Sequence, residues 1–406
     1  MSITGVIAGA KIAGIAASLY TAWTAWRTMP DSVIRRKLMK VFKDGQIVKT
    51  IKRPPGTKLK DIIIPPKIQR VSIYQDRIQA VFTVPQGVNP EDVHKHLWLF
   101  KQAFGELVEL EGEVKTFVLT IYRQDMVTFD YDYEEIAPKL TGLHLPIYVG
   151  RSRHGDEFYD ITEFPHLLIA GETGGGKSAT VRSILATLIK TAGERMKLYC
   201  ADLKRSEFHL FRGIAEEVVN DTPKLHTMLL KIQKELINRG KLLDKAELAN
   251  VLDLPEKERP PFIVLAIDEV ALLKKEKDIM SIIEDISAIG RALGVFLILS
   301  MQRPDAQVLD GKLKNNLTVR MALRHQDEIN SRITIGSGEA AEILNSQRGR
   351  MVFKLDGLKF VQSPYLELSK AKTLLAPYKR HTEALPLSPP VEETPEEQPI
   401  EWGGLQ

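Results

Sequence analysis

Two hydrophobic rhythms alternate along the second half of the chain. Short apolar runs, at 166–170, 196–201, 262–267 and 295–300, stand between longer segments whose apolar residues recur at helical spacing. The run Phe262-Ile263-Val264-Leu265-Ala266-Ile267 is apolar at every position, and a strand of that kind needs a sheet covered on both faces. Segments 179–190, 222–243 and 278–293 read as helices, and 318–323 as one more strand. This alternation predicts an α/β fold with a doubly wound, mostly parallel sheet and a site at the carboxyl ends of the strands.

The first half has a different pattern. Residues 77–84 read as a strand that Pro85 ends. Asn89 can cap a helix starting at Pro90, which carries Val93, Leu97, Leu99, Phe100 and Phe104. Residues 108–110 and 114–122 read as a hairpin around Glu111-Gly112-Glu113. We therefore expect a small α+β module over 66–146, structural or oligomer-forming, followed by the α/β domain over 147–380. Before the module, Pro54-Pro55-Gly56 and Pro65-Pro66 punctuate a basic linker over 28–65. The glutamates and prolines of 381–406 predict a disordered acidic tail.

The chain begins with a hydrophobic segment, 1–27. Ile3 to Trp26 is apolar apart from Lys11, Ser and Thr, and one membrane span needs about 20 such residues. Tyr20, Trp23 and Trp26 sit where interfacial aromatics belong, and the basic block follows at once. Lys11 would have to snorkel, pair within an oligomer or face a polar cavity. The segment reads as a single-pass span, which puts the rest of the chain in the cytoplasm, or as a helix lying on the cell membrane or packing elsewhere. No Lys or Arg precedes the apolar run, which argues against a cleaved leader. The basic block suits anionic lipid or nucleic acid.

Composition adds bounds. At 406 residues the chain has room for two or three domains. A net charge of +4 does not by itself demand a polyanionic partner. The lone cysteine, Cys200, excludes an internal disulfide and a cysteine zinc site, and the nine histidines show no ligand spacing beyond His94-x-His96.

The sharpest chemistry is in Gly171-Glu172-Thr173-Gly174-Gly175-Gly176-Lys177-Ser178, a complete G-x-x-x-x-G-K-S phosphate loop between an apolar strand and a helix beginning at Ala179. Glycines let backbone N–H groups converge on phosphate oxygens, and the helix terminus adds partial positive charge. Lys177 would reach the β- and γ-phosphates of ATP, and Ser178 would ligate Mg²⁺. Asp268 and Glu269 end an apolar strand in the Walker B pattern. Asp268 would hold Mg²⁺ through water, and Glu269 would orient and deprotonate the attacking water. Gln302 follows the next strand, where an amide can sense the γ-phosphate or simply make a turn. Arg291 ends a helix. It is favourable there for dipole reasons alone, or it is an arginine finger aimed at a neighbouring subunit's nucleotide.

At these residues the chain resembles the FtsK/SpoIIIE family. The resemblance runs from about Leu145 to Phe353. It includes Phe164-Pro165-His166, the loop, Asp202-Leu203-Lys204, Ile267-Asp268-Glu269, Gly290-Arg291-Ala292, Met301-Gln302-Arg303-Pro304 and Asn330-Ser331-Arg332. It implies a RecA-like ATPase motor in a hexameric ring that pumps DNA through its pore. By position, Arg291 looks like the family's trans-acting arginine, and Arg303, Lys314 and Arg332 resemble basic positions on pore-facing DNA loops, whose phosphate contacts would be salt-sensitive. The chain departs from the family at Glu172, where a small hydroxyl residue is usual, and at Glu328, often lysine. Nothing after Lys379 reads as an orientation-reading winged helix, and there is one candidate membrane segment. This layout looks more like the coupling proteins of Gram-positive conjugative plasmids and integrative elements, with a relaxase or secretion-channel proteins as implied partners. The alternatives are a chromosome-partition or DNA-packaging ATPase of the same family, or a nucleotide-switched membrane scaffold.

Overall fold

The computed structural model describes residues 30–54, 60–205, 207–309 and 311–380. The expected membrane segment and the acidic tail lie outside the described residues. Among the described residues no helix is long and apolar enough to cross a membrane.

The chain divides into two compact units between Asp125 and Met126. The first opens with α1 (Pro30–Asp44), then β1 (Lys49–Ile51), β2 (Ile62–Ile64), β3 (Lys67–Ile73), β4 (Arg77–Thr83), α2 (Pro90–Lys95), α3 (Leu97–Phe104), β5 (Val108–Glu111) and β6 (Thr116–Tyr122). Strands β3, β4, β6 and β5 make a four-stranded antiparallel sheet in that order. Asn89 accepts a hydrogen bond from the Glu91 N–H and caps α2 as expected.

Helix α1 replaces much of the linker read over 28–65. Its Ile34, Leu38, Val41 and Phe42 are buried in the core of this unit. The Phe42 ring lies 4.9 Å from that of Phe82, which stacks 5.7 Å from Phe117. The i, i+4, i+7, i+8 spacing of those four residues is a helix face. Lysines and arginines fill the positions between them, so a count of charge hides the stripe. Asp31 pairs with Arg35 one turn on, at 3.0 Å, a small addition to helix stability.

The second unit holds β7 (Pro146–Ser152), β8 (Gly155–Asp160), β9 (Leu167–Ala170), α4 (Lys177–Ala192), β10 (Met196–Asp202), β11 (Glu217–Val219), α5 (Thr222–Ala246), β12 (Phe262–Asp268), α6 (Lys277–Leu293), β13 (Val295–Met301), α7 (Gly311–Asn316), β14 (Val319–Leu323), α8 (Glu328–Ile335), β15 (Arg350–Lys354), β16 (Leu358–Gln362) and α9 (Leu368–Leu375). Its ten-stranded sheet has the order β11-β10-β12-β13-β9-β14-β15-β16-β7-β8. From β11 to β14 every pairing is parallel, and from β14 to β8 every pairing is antiparallel. The fold is a mixed, largely parallel sheet with helices. The antiparallel extension has no counterpart in the sequence reading, because two-residue and three-residue turns leave little punctuation.

This unit also starts earlier than residue 147. Tyr131, Ile136, Leu140 and Leu145 are buried in its core, and the Tyr131 hydroxyl bonds the Thr187 hydroxyl on α4 at 2.9 Å. Every residue of β12 is buried, and each large aliphatic side chain there stabilises the fold by about 1.5–3 kcal/mol.

Candidate active site

Parallel register gathers the site. Asp202 pairs with Asp268 across β10 and β12, and Met301 pairs with Ala170 across β13 and β9. Ala170 also pairs with Ala322 of β14. Whatever follows these residues therefore emerges along one edge of the sheet. Lys204, Glu269, Gln302, the phosphate loop and Arg324 all do so. Sequence positions more than a hundred apart meet because five strands end level.

The loop itself is built by conformation. Gly176, immediately before α4, has φ 106°, a region open to glycine and costly for other residues. A side chain there would also meet the Gly349 backbone N at 2.7 Å. The N–H of Gly349 donates to the Gly175 carbonyl at 2.9 Å, so the segment before β15 supports the loop from below. No side chain caps α4. The first N–H groups of a 16-residue helix are left for an anion, where the helix dipole favours negative charge.

Lys177 and Asp268 are buried together. The Lys177 ammonium donates to Asp268 Oδ1 at 2.6 Å and to the Ser300 hydroxyl at 3.3 Å. Ser300 donates to the same Oδ1 at 2.6 Å. Both partners use one oxygen of Asp268. A carboxylate and the neighbouring Ser178 hydroxyl make an all-oxygen donor set, which fits Mg²⁺.

Glu269 is 5% exposed and has a left-handed backbone, φ 57°. Its carboxylate accepts the Gln302 N–H at 3.1 and 3.2 Å and the Lys204 ammonium at 2.7 Å. The Gln302 side chain accepts from the Thr173 hydroxyl at 3.3 Å. Gln302 thus touches the loop with its side chain and Glu269 with its backbone. Glu172, the acid inside the loop, is neutralised by Arg324 at 2.8 Å, and its N–H donates to the Arg324 carbonyl.

A cleft of about 790 Å³ opens beside the loop. Thr173, Gly174, Gly176, Lys177, Ser178 and Ala179 line one side, and Phe129, Arg348, Gln362 and Tyr365 line another. Gly171 and Gly175 shape the loop beneath. The second wall was not legible in the sequence. Its residues come from the irregular start of the unit and from the antiparallel strands, where no motif marks them.

The remaining candidates are scattered. Arg291 is exposed at the last turn of α6, before the first residue of β13. The site lies beyond the other end of that strand, roughly 20 Å away at ordinary strand rise. Arg291 does not join the site of its own chain. Arg303 is exposed just past the carboxyl end of β13, whereas Lys314 lies on α7, before the amino end of β14. Arg332 is on α8, paired with Glu328 at 3.2 Å. Arg320 donates to the carbonyls of Lys314 and Thr334 and so ties α7 to α8, the helix of Arg332, while Arg303 stands apart at the carboxyl end of β13. Burial, then the neighbouring Arg320 and Lys354, push the Lys314 ammonium below its usual range.

A glycine loop on an uncapped buried helix, facing a strand-end acid pair across a largely parallel sheet, defines a P-loop ATPase domain. Comparison with known proteins narrows the class. Residues 143–258 match the model of the FtsK/SpoIIIE family. It is similar to the DNA translocase FtsK of Staphylococcus epidermidis, 32% identical over 232 residues that make up 52% of this chain and 29% of that protein. It is also similar to the DNA translocase FtsK of Borreliella burgdorferi, 27% identical over 80% of this chain and 40% of that protein. The chain therefore spans less than half the length of these curated relatives. Among solved structures, the pCW3 conjugation coupling protein TcpA, in a monomer form with ATPγS, matches 85% of this chain and 99% of its own, with TM-score 0.59 and 22% identity. The cytoplasmic domain of the type VII secretion ATPase EccC of Thermomonospora curvata covers 59% of this chain, with TM-score 0.52. At these identities the likeness is one of fold.

Proposed function

We propose that this protein is an ATP-driven DNA translocase, working as a hexameric ring and serving as the coupling protein of a conjugative DNA-transfer system. One observation carries the reading: Lys177, Asp268, Glu269 and Gln302 meet at one strand edge beside a helix terminus suited to phosphate. Phosphoryl transfer asks mainly for positioning and charge neutralisation, and this edge offers both. Lys177 turns from Asp268 to the β- and γ-phosphates of ATP. Mg²⁺, held by Ser178 and through water by Asp268, would neutralise phosphate charge. Glu269 takes the proton of the attacking water, and Gln302 reports the γ-phosphate to it.

Arg291 completes the site of a neighbouring subunit. Its distance from its own loop supports that assignment, since a finger acting in trans must be presented at a far surface. Arg303, Lys314 and Arg332 contact DNA phosphates from loops and helices that face the pore. The apolar stretch 3–26 attaches the ring to the cell membrane with the motor in the cytoplasm, and a relaxase or channel protein delivers the DNA. The fold likeness to a coupling protein that covers nearly its whole length supports the conjugative assignment over a chromosomal one.

The test is movement. Given ATP, the purified chain should displace streptavidin from the end of biotinylated DNA, and Glu269→Gln should abolish displacement while still binding nucleotide. No displacement by the wild-type chain, with ATP hydrolysis intact, would favour a nucleotide-switched scaffold instead.

A further inference from the structure

The carboxylate that the proposed reaction asks to accept a proton is already engaged. Glu269 takes the Lys204 ammonium at 2.7 Å on Oε2, and the Gln302 N–H reaches both oxygens. Lys204 and the Gln302 N–H take up most of the acceptor sites of this carboxylate, so a water held for attack at Oε2 would have to displace the Lys204 ammonium.

Three features make Lys204 the removable partner. It stands on the turn after β10, not in the sheet, and its side chain is 32% exposed against 6% for Glu269. A second cavity, of about 540 Å³, opens over the pair and is lined by Lys204, Glu269, Gln302, Arg303, Asp305 and Glu172. The two other acids there are each satisfied elsewhere, Asp305 by Lys274 and Glu172 by Arg324, both at 2.8 Å. Arg303 makes no ion pair among the described residues. An anion entering this cavity therefore meets two cations, Arg303 and Lys204, and one of them is the partner of Glu269.

We propose that Lys204 is a release catch on Glu269: it occupies the carboxylate until a nucleic-acid phosphate, drawn in beside Arg303, takes the ammonium away and frees the base. This rests on the reading of Glu269 as the base. The left-handed backbone of Glu269 costs about 1–2 kcal/mol in a non-glycine residue, so the residue is poised to move once its side chain is let go. Lys204 is a positioning residue here and touches no reacting atom.

The experiment measures steady-state ATP turnover of the full chain with and without DNA for wild type, Lys204→Ala, Lys204→Arg and Glu269→Gln. In Lys204→Ala, turnover without DNA should rise roughly tenfold, the scale of one charged hydrogen bond. The DNA-stimulated rate and the KM for ATP should stay put, so that stimulation falls toward one. Lys204→Arg should keep both the low basal rate and the stimulation. Undiminished stimulation in Lys204→Ala, or a basal rate that is unchanged or lower, overturns the catch. Turnover at the wild-type level in Glu269→Gln would overturn the underlying assignment of the base, and the two failures are told apart within one data set.

Discussion

Two buried histidines show how single residues set the conditions under which this fold survives. His166 Nδ1 accepts the Leu297 N–H at 3.1 Å, which puts the ring proton on Nε2. His325 bonds the Thr334 hydroxyl at 3.1 Å. Burial pushes both imidazoles down to about 4. Their folded values are depressed, so the unfolded chain binds more protons between the ordinary value near 6.5 and about 4. The stability they allow is complete above pH 6.5 and is lost as pH falls toward 4, by about 2 kcal/mol for each residue at pH 5. Thermal melting should therefore drop steeply between pH 7 and pH 5. His325→Gln, which keeps a hydrogen-bonding group without the charge, should flatten that slope, and an unchanged slope would show that His325 is not protonated on unfolding. The same scale explains Cys200, whose thiol burial pushes well up and which is inert core, as the sequence suggested.

Among the elements, the loop and the strand that supports it form the most sensitive contact. Gly349 has φ 77°, and a side chain there would meet Gln362 Nε2 at 2.8 Å. Gly349→Ala should lift the segment before β15 off the Gly175 carbonyl and loosen the phosphate loop. We expect a loss of about 1–3 kcal/mol in unfolding free energy and a raised KM for ATP, read by denaturant titration and kinetics. Wild-type values for both would remove the support role. The parallel strands, the loop and the acid pair were legible because buried parallel strands are continuous apolar runs and because phosphate chemistry tolerates few residue types. The antiparallel strands β7, β8, β15 and β16 were not, and with them went Arg348, Gln362 and Tyr365 of the cleft wall. Helix α1 was readable in principle. Its stripe of Ile34, Leu38, Val41 and Phe42 is regular, but it is embedded in basic residues that suggested a solvated linker. Lys204 carries no signal of its role in the sequence, since only the folded register brings it within 2.7 Å of Glu269.

At the scale of the whole molecule, the arrangement points outward from one chain. The phosphate loop and its acids lie at the carboxyl edge of the sheet, and Arg291 lies at the amino edge. A single chain cannot bring the two together without dismantling β13. If Arg291 acts on nucleotide, as proposed, a neighbouring protomer must set its amino edge against the carboxyl edge of the next. On the reading proposed above, ATP is split at such a boundary in response to DNA. The measurement is ATP turnover, with and without DNA, by Arg291→Ala alone, Lys177→Ala alone and the two mixed. Each variant alone should lose turnover by roughly a hundredfold or more. The mixture should regain a DNA-stimulated fraction of the wild-type rate, because an intact loop from one variant then meets an intact arginine from the other. If no mixture regains turnover, or if the regained rate ignores DNA, the claim is contradicted.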